Sequence, residues 1–390
     1  MNPIYSYHYC IPYFIFFIIL WILVFYEFKK INSSQSILQI RIITLCLCSI
    51  FIGLRGFVYT DWVNYYPLFK SLPTIWEVAN YKFENEFIEP GFTLFTIIIK
   101  SIYPDYFFFV FICTIIDLII LDSFFHKKTQ YYVFAFLLFF LFNGIWIEFN
   151  LLRNAKSLML FILSIKYIEK SNFKKYFLLN LLGVFFHSSS CIYIILYPIL
   201  KAKFLTKYML PIFIVGNIIF LGHIEYIKPL IITTTNIIGG RFALYAEVYL
   251  NNTTYANNFG LSIGFLERTI TFIFIYIYKD YIIKKNEDSV IYINMFMLYS
   301  IVYLYMSEVY ILIQRLSLLF IISYPILYPR LFNLCNIKSK YLIIICFFIY
   351  SLLRISISNN NIFAKYDNLL WGVESFEVRQ QNFKYDIEIK

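Results

Sequence analysis

The run from Tyr131 to Trp146 contains no charged residue, and apolar stretches of that kind recur along the chain. A helix that is apolar all round has no face for water and belongs in a core or a bilayer. A core cannot absorb so many of them. Hydrophobic residues make up 61% of the chain and charged ones only 14%, where soluble domains carry about 25%. The 45 Phe and 36 Tyr add bulk that needs an apolar solvent on every side. These figures exclude a disordered chain, a coiled coil and an ordinary soluble enzyme. They predict an all-α polytopic membrane protein, with residues 1–390 as a single membrane domain.

About ten full spans follow from length and hydropathy. They are expected at Cys10 to Tyr26, Leu38 to Leu54, Tyr106 to Leu121, Tyr131 to Trp146 and Leu152 to Ile168. Five more follow at Tyr208 to Ile224, Leu261 to Tyr281, Val290 to Val309, Leu312 to Tyr328 and Tyr341 to Ile357. Two stretches fit less well and are read as re-entrant or interfacial elements. Gly91 to Tyr103 is too short to cross. Tyr176 to Leu200 is broken by His187, Ser188, Ser189 and Ser190, which suits a re-entrant hairpin or one interrupted span. The first run has no basic region before it and no small-residue cleavage site, so it is expected to be retained.

Lysines set the sidedness. With the N-terminus outside, Lys29, Lys30, Lys127, Lys128, Lys170, Lys174, Lys175, Lys201, Lys203, Lys207, Lys284, Lys285, Lys338 and Lys340 all fall in the cytoplasm, as the positive-inside rule asks. Assigning each charge to its nearer face gives the cytoplasmic side about 18 basic and 7 acidic groups, and the outer side about 15 and 16. The net charge of +10 is therefore a mark of topology and anionic lipid, not of nucleic acid. The polar outer segments are then residues 55–105 with the short re-entrant helix, the long loop 225–260, and a C-terminal tail at 359–390.

The basic residue types sort as well. Arg55, Arg153, Arg241, Arg268, Arg315, Arg354 and Arg379 fall outside, leaving Arg41 and Arg330 within. Lysine is a point charge, whereas arginine offers a planar fork that grips phosphate or carboxylate. Outward arginines at span ends suggest a cavity for a lipid-linked anion. Snorkelling at the interface accounts for any one of them equally well.

The most informative stretch runs from Gly53 through Arg55, Gly56, Thr60 and Asp61 to Tyr65 and Tyr66. Glycine permits a sharp turn, and Tyr and Trp around an acid suit sugar rings. Further on, Glu89 precedes Pro90, a natural first helical residue; the carboxylate is read as a cap, a base or an arginine partner. Arg153 opens a span, where a helix N-terminus and a cation both favour an anion. Phe186-His187-Ser188 places an imidazole and hydroxyls in an apolar stretch. Glu267 and Arg268 lie one turn into a span, and Glu308, Gln314 and Arg315 flank an outer turn. The 4 His show no HxxxH or HExxH spacing, and the 7 Cys show no CxxC. No phosphate loop or GxGxxG occurs. No metal site and no cofactor is expected.

In order, Gly53-x-Arg55 with Thr60-Asp61 and Tyr65-Tyr66, then Glu89-Pro90-Gly91-Phe92, Arg153 and Phe186-His187-Ser188, resemble the EpsG-like polysaccharide polymerases of the broader Wzy group. The resemblance covers residues 53–200. It departs at Asn154 and Lys156, where a Gln and an apolar residue would be expected. It implies a metal-independent glycosyltransferase of the bacterial cytoplasmic membrane, with its active site facing the periplasm or cell exterior. Such an enzyme joins undecaprenyl-diphosphate-linked oligosaccharide repeats to make O-antigen, capsule or exopolysaccharide. On that reading Asp61, Glu89 and His187 are the catalytic candidates. Arg55, Arg153, Arg241, Arg268, Arg315, Tyr65 and Tyr66 would bind diphosphate and sugar. Partners would be the lipid-linked oligosaccharide, membrane lipid and a chain-length regulator protein, with no nucleic acid. The alternatives are an O-antigen ligase-like transferase, which shares donor and face, and a flippase or transporter, which would need polar residues continuing through the bundle.

Overall fold

The computed structural model describes residues 4–30, 34–81, 88–238, 240 and 261–388. Among them every regular element is helical, as an all-α polytopic chain requires. Among the described residues five helices are long and apolar enough to cross a membrane: Tyr7–Lys29, Gln35–Gly53, Tyr106–Lys128, Tyr132–Asn150 and Ile337–Ser358. The pair Ile313–Phe320 and Ser323–Phe332, bent by 46°, makes a sixth if it is one span. This falls short of the ten expected from hydropathy, for two reasons. The stretches expected near Tyr208 and Val290 fold as helices of 13 and 17 residues, against about 20 for a hydrocarbon core. Those near Leu152 and Leu261 are helical at 18 and 23 residues, but they carry Arg153, Lys156 and Lys166, or Glu267, Arg268 and Lys279.

The chain divides into two compact units, Met1–Leu196 with Phe332–Lys390, and Tyr197–Leu331. In the first unit the helices are α1 (Ile11–Lys30), α2 (Ser34–Cys48), α3 (Trp62–Ser71), α4 (Pro90–Ile102) and α5 (Tyr106–Lys128). They continue as α6 (Tyr132–Phe139), α7 (Ile145–Asn150), α8 (Leu152–Glu169), α9 (Phe173–Phe186) and α10 (Cys191–Lys201), the last running into the second unit. Local signals place several ends. Asp105 caps α5 by accepting the Phe108 N–H at 2.8 Å, and Asn172 does the same for α9 with Lys175 at 3.1 Å. Lys127 and Lys128 occupy the last turn of α5, where the helix dipole favours cations. Between α6 and α7 the helix breaks at Asn143, whose φ is +80°. Asparagine tolerates that left-handed backbone better than most residues, and Arg354 holds its side chain at 2.6 Å.

Tyr176 to Leu200 is a hairpin. The Tyr176 hydroxyl donates to the Tyr193 carbonyl, a contact that one continuous helix, rising 1.5 Å per residue, cannot make. The reversal falls at His187–Ser190, between α9 and α10.

The segment expected as a polar tail packs back on the Gly53–Thr60 stretch. The Gly56 N–H donates to Asp367 O (2.9 Å), the Tyr59 N–H to Phe363 O (2.7 Å) and the Leu369 N–H to Leu54 O (2.8 Å). Phe376 and Phe383 then join a core of Phe57, Trp62, Tyr65, Phe69, Phe92, Tyr106 and Phe109. Gly53 and Gly56 do not serve a sharp turn, since neither has positive φ. They allow close approach: a Cβ on Gly56 would sit 2.6 Å from Val373 Cγ1, and one on Gly53 would sit 2.9 Å from Phe111.

In the second unit, Glu308 accepts the N–H groups of Tyr226, Ile227 and Lys228 at 2.6, 2.8 and 3.0 Å. It thereby caps the helix Ile227–Ile238 from a distance. Asn294 donates to the carbonyls of Leu200 and Ala202, at 2.9 and 2.6 Å, and closes the end of α10.

Candidate active site

Three helix starts and one helix turn meet in the first unit. They are the starts of α3, α4 and α8, and the turn Ser188–Ser190 that leads into α10. Side chains tie them together. Arg153, the second residue of α8, donates to Glu89 Oε2 at 2.6 Å. The other oxygen of Glu89 accepts the Ser188 N–H at 3.1 Å. Tyr65, one turn into α3, shares a hydrogen bond with the Arg153 guanidinium. Asn150 Oδ1 accepts the Thr60 N–H at 3.0 Å and the Asp61 N–H at 3.3 Å. The last residue of α7 thus holds the start of α3.

Each helix start brings partly unpaired N–H groups and the positive end of a dipole. Gathering them beside Arg153 makes a local field that favours a polyanion. The close fit has a sequence cause. A Cβ on Gly91 would lie 2.7 Å from the Phe185 carbonyl oxygen, so only glycine lets the α4 start reach the end of α9.

Electrostatics separate the three acid–base candidates. Burial works to raise the Glu89 pKa, but the Ser188 N–H, its own backbone and Arg153 outweigh it and hold it below the ordinary 4.5. Glu89 is therefore an ionised partner of Arg153 and a weak base. It is not a side-chain cap of α4. His187 Nδ1 accepts the Ser189 N–H at 3.1 Å. The neutral ring accordingly carries its proton on Nε2 and offers a donor there. Asp61 is half-buried, with Oδ1 3.4 Å from the Thr60 hydroxyl. Tyr65 is buried, which raises its phenol against the pull of Arg153.

The other expected residues are placed differently. Arg55 is 2% exposed. Its guanidinium donates to Ile52 O and Glu148 O, both at 2.5 Å, and lies over the Phe149 ring at 4.7 Å. It closes carbonyls of broken helix ends and does not face the Arg153 cluster as an open fork. Tyr66 stacks on Phe376 at 4.6 Å, under the C-terminal segment. Arg268 and Arg315 belong to the second unit. There Arg268 lies over the Tyr303 ring at 3.7 Å and donates to the Tyr299 hydroxyl at 3.1 Å, while Arg315 is exposed near the end of the helix Tyr310–Leu316. Arg241, with most of the loop 225–260, lies outside the described residues.

Three features escaped sequence reasoning. Asn150 carries no motif of its own, and a buried asparagine has no sequence signature. Tyr59 has φ +61°, and the C-terminal segment holds it through Phe363 O on its N–H and Asn359 Oδ1 on its hydroxyl (2.6 Å). Lys156, which departs from the family pattern, is buried against Asp117 and donates to Cys113 O at 2.6 Å. Here a signal did exist: two opposite charges at mid-span depth call for each other.

Among curated proteins and among solved structures, nothing matches the chain significantly. A family model matches residues 38–368, a range holding Arg55, Asp61, Glu89, Arg153, His187 and the segment that folds over Tyr59. With its helical membrane-protein build, the chain therefore belongs to the EpsG family, the Wzy-like polysaccharide polymerases.

Proposed function

We propose that the chain joins undecaprenyl-diphosphate-linked oligosaccharide repeats at the outer face of the bacterial cytoplasmic membrane, without a metal. The observation that carries this reading is the meeting of Tyr65, Glu89, Arg153 and Ser188 where three helices start, with Asp61 held at the first of those starts by Asn150. A hydroxyl of the incoming repeat attacks the anomeric carbon of the growing chain. The new C–O bond forms as the bond to diphosphate breaks, the electron pair leaves with the diphosphate, and the hydroxyl proton passes to Asp61. Arg153, oriented by Glu89 and Tyr65, meets the charge that develops on the diphosphate. Glu89 uses one guanidinium nitrogen, which leaves the fork other donors for phosphate. His187 serves as a hydrogen-bond donor through Nε2. Among the acid–base candidates Asp61 is the base, because Glu89 is held by Arg153 and the neutral His187 ring presents a proton. Apolar faces of the spans hold the polyprenyl tails. Metal independence follows from scarce histidine and from acids set beside arginines that compete for them.

The test is the purified, reconstituted chain with lipid-linked repeats and excess chelator. Asp61→Asn is expected to lose polymerisation by about a hundredfold or more, as for a lost general base, while still binding donor. Full activity in Asp61→Asn removes it as the base. Activity abolished by chelator and restored by a divalent ion refutes the metal-free scheme.

A further inference from the structure

We infer that the turn Leu369–Leu370–Trp371 is a membrane-interface anchor that seats the C-terminal segment in lipid. The segment around it is polar, with Asp367, Asn368 and Glu374 close by. Yet Leu370 and Trp371 are 63% and 65% exposed, and Leu369 is 41% exposed. Three large apolar side chains at the tip of a tight turn are costly in water, and the contact of the Trp371 ring with Tyr366, at 6.2 Å between centroids, leaves most of the indole uncovered. Gly372, with φ +108°, closes the turn and aims its tip away from the body of the unit.

The turn is fixed at one end of a membrane span. The Leu369 N–H donates to Leu54 O at 2.8 Å. Asn368 Nδ2 donates to Ile50 O at 2.9 Å, and the Tyr366 hydroxyl to Phe51 O at 2.7 Å. All three acceptors lie in or just past Gln35–Gly53, a helix apolar enough to cross. The outer face of that helix is itself apolar, with Leu38, Ile42, Ile43 and Ile50 exposed. The Leu–Leu–Trp tip continues this face to the level where hydrocarbon gives way to headgroups. Tryptophan is the residue that prefers that level. The same segment also reaches the end of a second span, since the Ser6 N–H donates to Asn360 O at 2.8 Å. There the exposed Tyr5 and Tyr7 stand at the start of Tyr7–Lys29. The segment that pins Tyr59 and covers Tyr66 thus has aromatic residues at the ends of two spans, and the occupant of its tip is the bilayer surface.

The full chain in phospholipid nanodiscs tests this. The fluorescence difference between the wild type and Trp371→Phe isolates one indole among the five. With lipids brominated just below the ester, that component should lose most of its intensity. It should lose less with bromine near the methyl end, and little with iodide in the water. Leu370→Trp on the Trp371→Phe background should add a component with the same depth profile, which guards against a local fault of one variant. Replacing Leu369, Leu370 and Trp371 together by Gln should leave the chain in the membrane but expose Arg379, now 3% exposed, to trypsin. A Trp371 component that no brominated lipid quenches overturns the inference, whether iodide reaches it or another protein surface, such as a second copy, covers it.

Discussion

Arg55 and Arg153 each stand beside a helix end in the same unit, yet their surroundings assign them different roles. Arg55 is buried on carbonyl oxygens, with the buried Glu148 among its charged neighbours. Removing it leaves the buried carbonyls of Ile52 and Glu148 without their donor. Arg55→Leu is therefore expected to destabilise the fold by about 1–3 kcal/mol for each carbonyl left unsatisfied. Arg153→Lys keeps a cation for Glu89 and should melt near the wild type, but it loses the fork and with it polymerisation. Thermal unfolding in detergent beside a polymerisation assay separates the two; equal melting of both variants would contradict the assignment. Glu89 carries a pH signature. Its folded pKa lies below 4.5, so the stability it contributes is fully present above that value and is lost as pH falls through the depressed one. The melting difference between wild type and Glu89→Gln should be constant at neutral and mildly acidic pH and should shrink only below 4.5. A gap that closes already near neutrality would show that Glu89 is not held ionised.

At the scale of elements, remote acids replace local caps. Glu27 closes the start of α6 by accepting the Val133 and Phe134 N–H groups at 2.9 and 3.2 Å. Glu308 does this for Ile227–Ile238, and Glu89 for the turn before α10. The first N–H groups of a helix have no partner within it, and here a carboxylate from another helix supplies one. Helix contact then depends on small residues. Gly91→Ala would drive its Cβ into the Phe185 backbone, at 2.7 Å from O and 2.9 Å from C, atoms that cannot swing aside. The expected cost is about 1–3 kcal/mol of overpacking, together with lost activity as Glu89 separates from Ser188. Gly183→Ala meets side-chain atoms alone, the nearest being the Ser190 hydroxyl at 3.2 Å, with Ser190 Cβ at 3.4 Å and Ser157 Cβ at 3.7 Å, and should be tolerated. Melting curves and activity of the pair check this, and a harmless Gly91→Ala would show that the α4–α9 contact does not set the site.

For the whole molecule the open quantity is which side of the membrane faces what. The lysine distribution predicts that the N-terminus, the Thr60–Asp61 loop and the C-terminal segment lie together on the outer side. The structure's own bonds join these three pieces: the Ser6 N–H donates to Asn360 O, the Ile362 N–H to Ile4 O, and the Gly56 N–H to Asp367 O. They must therefore share one face, whichever it is. Tags at residues 75 and 375 are expected to react with an impermeant label added outside intact cells. A cytoplasmic readout at either would reverse the sidedness, and with it the outer-face reaction.

The sequence by itself determined that the chain is helical and lives in a bilayer, because apolar runs without charge have no other solvent. It also marked Asp61, Glu89, Arg153 and His187, since acids, arginines and imidazole at span ends are costly enough to need a reason. The tertiary structure alone decided what each one touches. Arg55 and Arg153 look alike in the chain, and only the packing shows one closing carbonyls and the other paired with Glu89. At His187 it turned Nδ1 to the Ser189 N–H, which leaves Nε2 for any other contact. The apparent tail became the support of the Tyr59 loop through backbone bonds, which leave no trace in side-chain type. Hydropathy acts on each segment separately and can be read along the chain. Pairing between segments far apart depends on which helix ends approach, and that depends on packing contacts such as those at Gly56 and Gly91.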